Sequence, residues 1–146
     1  MWGETDITDE GLKYVPLLQK LNASCTKITN EGLKYVPLLL SLKASGKITD
    51  EGLKYVPLLR ELGVSYTQIT DEGLKHLSLL QILDASHTKI TDEGLKHLSL
   101  LQDLSIYDTN TTGKVLKYLP LIHELIISNT KIKDKDTECL CLLSVW

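Results

Sequence analysis

The chain has 146 residues, 42% of them hydrophobic and 24% charged, with a formal net charge of −3 and no phenylalanine. That balance fits one globular unit, and no stretch approaches the roughly 20 apolar residues that a helix crossing a bilayer requires. It also disfavours nucleic acid as a partner: a phosphate-binding stripe needs net positive charge, and the lysines here are matched by acids.

From the N-terminus, Met1 to Thr8 is polar and carries neither a basic region nor an apolar run, so it does not read as a secretory leader. At Ile7 begins a segment, Ile-Thr-Asp-Glu-Gly-Leu-Lys, that returns at Ile28 (with Asn30), Ile48, Ile69 and Ile90, and in decayed form at Thr111 and Ile132. Units of 20 or 21 residues predict a stacked-repeat solenoid, since a unit so small cannot bury its own apolar face and must lean on its neighbours.

Within a unit, Leu83 and Ala85 alternate with Asp84 and Ser86, which predicts a short strand. Thr91 then suits a helix N-cap, Asp92 and Glu93 oppose the helix dipole, and Leu95 and Leu98 share a face over about two turns. Pro16, Pro37, Pro57 and Pro120 follow the helical run and are expected to end it. Strands repeated along a one-way path must run parallel. The second unit, Leu39 to Ile48, is one residue short and has Ser45-Gly46-Lys47, which predicts an irregularity at Gly46 and a break between Thr26 and Thr67. At the ends, the repeat frame puts Trp2 on an inward position of an incomplete strand, and Leu143 and Trp146 on the first two inward positions of a last one. Lys133, Lys135, Asp136 and Thr137 replace the usual residues there, as in a partial C-terminal cap. The cysteines, Cys25, Cys139 and Cys141, are too sparse for a disulfide framework or a four-ligand zinc site and read as free thiols.

The segment Leu80, Leu83, Ala85, Thr88 and Ile90 resembles a leucine-rich repeat, as do Leu59, Leu62, Val64, Thr67 and Ile69 and Leu101, Leu104, Ile106, Thr109 and Thr111; the frame covers essentially the whole chain. The resemblance implies an α/β fold, a right-handed leucine-rich-repeat solenoid with a parallel sheet on the concave face and short helices outside. Residues 1–146 then form a single domain of about six repeats, truncated at both ends. Threonine stands where many such repeats have asparagine, which predicts a weaker side-chain ladder against the turn backbone.

Comparison of the units shows where the chain varies. Glu10, Glu31, Glu51, Glu72 and Glu93 and the lysines three residues after them repeat almost unchanged, as a solvated face would. The glycines from Gly11 to Gly94 recur inside the helical run, yet Val115 replaces the sixth, so close packing explains them better than a positive φ. The outward strand positions and the column before the threonine (Cys25, Tyr66, His87, Asp108, Asn129) vary freely.

His87 and Asp108 fall on neighbouring strands about 4.8 Å apart, within reach of a hydrogen bond. No nucleophile accompanies them: Cys25 is three strands away and Ser86 lacks an oxyanion donor, so no catalytic residue, metal or cofactor is expected. Members of the family commonly bind protein on the strand face. The resemblance therefore implies a non-enzymatic interaction module, with a protein partner contacted by Arg60, Glu61, Tyr66, Asp84, His87, Asp103, Tyr107, Asp108 and Asn129. The alternatives are a homo-oligomer stacked through its ends by Trp2 and Trp146, or the targeting arm of a larger effector or ubiquitin-ligase adaptor. The missing leader and reduced-type cysteines point to the cytoplasm, while a secreted or host-delivered chain is also compatible.

Overall fold

A computed structural model describes residues 6–44, 46–137 and 144–145. Seven strands form one parallel sheet in chain order: β1 (Lys20–Asn22), β2 (Ser41–Lys43), β3 (Glu61–Gly63), β4 (Ile82–Asp84), β5 (Asp103–Ser105), β6 (Glu124–Ile126) and β7 (Ser144–Val145). Between them come α1 (Asp9–Leu12), α2 (Asn30–Leu33), α3 (Asp50–Leu53), α4 (Asp71–Leu74), α5 (Asp92–Leu95), a 3₁₀ helix (Gly113–Tyr118) and α6 (Asp134–Thr137). No helix among the described residues is long and apolar enough to cross a membrane.

The sheet register stacks like on like. Leu21, Leu42, Leu62, Leu83, Leu104 and Leu125 pair across the strands and point into the core. From Leu42 onward they are buried, with Val64, Ala85 and Ile106 beneath the following turn. Fully burying one such leucine stabilises the fold by about 1.5–3 kcal/mol, so the column supplies cohesion that no single unit owns.

The helices are shorter than two turns. Each of α1 to α5 has four residues and runs on into a chain of i→i−3 turns, with Leu98 N–H donating to Leu95 O (3.0 Å) and Leu101 N–H to Leu98 O (2.9 Å). Leu95, Leu98 and Leu101 are all fully buried, and a spacing of three eclipses side chains only on a three-residue turn. Proline is not what ends the helix: α4 and α5 stop at the same place although Ser78 and Ser99 stand at the proline position.

The contact between neighbouring helices comes from the acid that opens each one. Asp71 Oδ1 accepts the Thr91 backbone N–H at 2.8 Å, and Oδ2 accepts the Thr91 hydroxyl at 2.7 Å. The same pair joins Asp9 to Thr29, Asp50 to Thr70 and Asp92 to Thr112. With its proton committed to the carboxylate, the threonine hydroxyl accepts an N–H of its own helix, as Thr91 does from Glu93. One aspartate therefore clasps the next unit and orients its N-cap.

Asn30 also bridges to Thr49, but its amide donates to the hydroxyl, and Thr49 makes no side-chain cap. The clasp explains the glycines too. A side-chain carbon at Gly32, Gly52, Gly73 or Gly94 would lie within 2.4–2.5 Å of the clasping Asp or Asn oxygen, and none of these glycines has positive φ. Where Val115 replaces glycine, the helix is 3₁₀.

The threonines of the strand-side turns act within their own units: Thr26, Thr67, Thr88, Thr109 and Thr130 each donate to the carbonyl three residues back. Thr111, buried where other units have isoleucine, is satisfied by Thr109 at 2.9 Å. On the opposite side the expected Glu–Lys pairs form in all five units from Glu10–Lys13 to Glu93–Lys96. Hydrogen bonding to glutamate outweighs desolvation and holds the Lys13, Lys34, Lys54 and Lys96 ammonium groups above their usual pKa.

The C-terminal frame needs a correction. Val145, not Trp146, pairs with Leu125, so the last interval is one residue shorter than the repeat frame assumed. Trp2, Leu143, Trp146, Cys139 and Cys141 lie outside the described residues, as does Ser45. Asp136 Oδ2 accepts the Lys133 N–H at 2.9 Å, and its side chain occupies the space a Cβ at Gly113 would need.

Replacing Asp71 by alanine removes two charge-assisted hydrogen bonds and strands a part-buried amide. It should cost about 2 kcal/mol in urea denaturation, against almost nothing for Glu72→Ala. Asn30→Asp, by restoring the Thr49 cap, should raise stability by about 0.5–1 kcal/mol.

Candidate functional site

The variable column before the turn threonines has a backbone signature that its side chains did not announce. Cys25, Tyr66, His87, Asp108 and Asn129 all adopt left-handed φ, between 55° and 60°. Asp, Asn and His are types enriched there, whereas Tyr and Cys are not. Their N–H groups carry the sheet pairing into the turn: Tyr66 donates to Ser86 O (3.2 Å), His87 to Tyr107 O (2.9 Å) and Asp108 to Ser128 O (3.1 Å). The row therefore advances one unit per side chain.

Along it the groups engage each other. The Tyr66 and His87 rings stack at 4.2 Å between centroids, and Tyr107 meets His87 edge-on at 4.8 Å. His87 Nδ1 lies 3.0 Å from Asp108 Oδ2, the pairing expected from strand spacing, and Asp108 Oδ1 accepts from the Asn129 amide. Tyr66 remains 75% exposed, so one ring face is held and the other is free. Ser86 Oγ bonds Ser105 Oγ at 3.0 Å and does not face His87 as a nucleophile.

Gly46 breaks the row. Gly46 itself has no positive φ and the short second unit has no turn threonine; nothing lies within 4 Å of where a Cβ on Gly46 would be, and Lys47 Nζ reaches Thr26 O at 3.4 Å. The predicted irregularity is a gap between Cys25 and Tyr66.

The other candidates lie on the strands. Asp103 Oδ1 is 3.1 Å from His123 Nδ1 but makes no hydrogen bond. Glu61 and Asp84 line a depression of 310 Å³ over β2–β4, with Lys43, Gly63, Ser65 and Ile82. Burial pushes the Asp84 carboxyl up, but hydrogen bonds from Ser65, Ser86 and Ser105 outweigh it and leave its pKa below the usual range. Of these donors the Ser86 N–H is well placed at 3.2 Å; Ser65 Oγ, buried without an aligned partner, acts by proximity. Arg60 is exposed just before β3, at the opposite end of that strand from Tyr66, and is not brought to the row. Lys43, Gly63 and Ser65 were not among the expected contacts, although Lys43 and Gly63 belong to the variable outward strand positions.

Two adjacent stretches, residues 57–78 and 76–99, match the family model described as Leucine Rich repeat. No curated protein matches the chain in sequence. Among solved structures, internalin C2 of Listeria monocytogenes superposes with a TM-score of 0.77 at 23% identity, over 99% of this chain and 77% of that one. An internalin, inlF, of the same organism gives 0.74 at 20%, over 97% of this chain and 51% of its own. A TLR13–ssRNA13 complex gives 0.67 at 23%, over 92% of this chain and 22% of that one. These likenesses show the fold: the chain is a leucine-rich-repeat solenoid, spanning about three-quarters of the first relative and half of the second.

Two measurements check the local account. Cys25→Asn relieves a left-handed backbone and should stabilise by up to about 1 kcal/mol in chemical denaturation. Because folding lowers its pKa, ionised Asp84 contributes stability above the ordinary carboxylate range, near about pH 4, and loses it as pH falls through the lowered native value. The stability gap between wild type and Asp84→Asn should therefore hold from about pH 7 to 5 and shrink below about pH 4.

Proposed function

We propose that the protein is a non-enzymatic interaction module that captures a protein partner on the open face of its sheet, centred on Tyr66, His87, Tyr107 and Asp108. The observation that supports this best is the linked row itself. Drift at unconstrained positions leaves unrelated side chains, whereas here residues from successive units stack and hydrogen-bond in register. Aromatic anchors already held in place lose little freedom on binding, which is where affinity is gained. Tyr66 also keeps a left-handed backbone at an energetic cost that asparagine or glycine would avoid. Asn129 extends the row, and Glu61, Asp84 and Asp103 supply a polar margin, with Arg60 at its edge.

A second reading, self-association through the ends, draws on Ile7, which is 52% exposed while Ile28, Ile48, Ile69 and Ile90 are fully buried. Light scattering over a hundredfold concentration range separates the two, since only end-stacking gives a mass that grows with concentration.

Once a partner is captured, Tyr66→Ala or Tyr107→Ala should weaken binding by about 2 kcal/mol each, and Lys54→Ala or Lys75→Ala by almost nothing. Equal effects by calorimetry would sink the assignment to the sheet face.

A further inference from the structure

The outward positions of β1 to β6 divide by charge. β1 and β2 contribute Lys20 and Lys43, and β3 to β6 contribute Glu61, Asp84, Asp103 and Glu124. At the boundary stands Gly63, which alone among these positions lacks a side chain. The space above it is open: a Cβ there would meet Lys43 Cγ at 3.6 Å, an ordinary contact. The 310 Å³ depression that results has Lys43 on one rim, Glu61 and Asp84 on the other, and the exposed Ile82 side chain as apolar lining. It lies at the small end of the range for ligand pockets, a volume suited to one side chain.

None of Lys43, Glu61 and Asp84 forms an ion pair among the described residues, whereas Asp103 already faces His123. Ser65 Oγ, buried and without a hydrogen-bond partner, also lines the depression. Glu61 and the Asp84 carboxylate oxygen not engaged by the Ser86 N–H are thus left as acceptors beside a free ammonium.

We propose that this depression seats an arginine side chain of the partner, its guanidinium between Glu61 and Asp84, with a neighbouring carboxylate of the partner on Lys43; this rests on the reading that the sheet face binds protein. The register favours arginine over lysine. Glu61 pairs with Ile82 and Gly63 with Asp84, so the two acids sit on adjacent strands two residues apart, with their backbones roughly 8 Å from each other. A planar fork with five donors bridges such a pair, while an ammonium satisfies one member at a time. The apolar lining takes the methylene stem. With lysines on one side and acids on the other, the face also imposes a direction: the partner segment crosses the strands with its acidic residue toward β2 and its arginine toward β4.

Titration of ¹⁵N-labelled protein with N-acetyl-arginine-N-methylamide tests this without a partner in hand. Saturable shifts should cluster at Gly63, Ser65, Ile82 and Asp84, with the lysine analogue at least 3-fold weaker and the glutamate analogue without effect there. Gly63→Leu fills the depression from a backbone that tolerates a side chain, and should abolish the response. Asp84→Asn and Glu61→Gln, surface changes that leave the core intact, should each weaken it at least 5-fold. Shifts spread equally over Asp103 and Glu124, insensitivity to all three variants, or no saturable response would overturn the subsite. Its failure is separable from that of the binding face: if partner capture depends on Tyr66 and Tyr107 but not on Gly63, the face stands and the arginine subsite falls.

Discussion

The carboxylate of each helix-opening aspartate, closed on the threonine that opens the next helix, is the contact on which the stack depends. A unit of 20 or 21 residues with a three-residue strand and one helical turn has almost no stability of its own, so cohesion must come from its neighbours. Leucine columns supply attraction but little direction, because apolar contact tolerates sliding. Two hydrogen bonds from Asp71 to the amide and hydroxyl of Thr91 define one geometry. Beneath the α-helical clasps only glycine leaves room for the carboxylate, and where Val115 stands the clasp is kept over a 3₁₀ turn. The run of clasps ends at Gly113, where the aspartate is absent and Asp136 fills the space from the next unit.

That division of labour leaves the opposite side of each unit free to vary. Once the helix side sets the pitch, any residue placed at the left-handed turn position recurs in line with its equivalents. A row such as Tyr66, His87, Asp108 and Asn129 is then assembled by substituting one residue per unit. Shortening one unit opens a gap without disturbing the pairing, since β2 and β3 stay in register across the missing residue. The variety lies on the sheet face and the constancy on the clasped one.

Much of this was legible in the residues. The period gave the parallel sheet and its register, the leucine columns gave the core, and the neighbouring-strand positions of His87 and Asp108 gave their hydrogen bond. The clasp was not legible, because Asp92 at a helix start already has a sufficient local explanation in the helix dipole, and its true partner, Thr112, is 20 residues away. The left-handed turn was hidden by its occupants: glycine would have betrayed it, but Cys25 and Tyr66 do not. Helix length was overestimated because Leu95 and Leu98 fit a helical face equally well when the turns that carry them are i→i−3.

The most direct measurement is amide hydrogen exchange at the clasped threonines. If the clasp holds the stack, the Thr29, Thr70, Thr91 and Thr112 amides should exchange as slowly as the strand-side amides of Ala85 and Ile106, and Thr8, with no preceding aspartate clasped to it among the described residues, should exchange fast. Exchange at Thr70 and Thr91 as rapid as at Thr8 would contradict the account and leave register to the apolar columns and the backbone hydrogen bonds of the sheet.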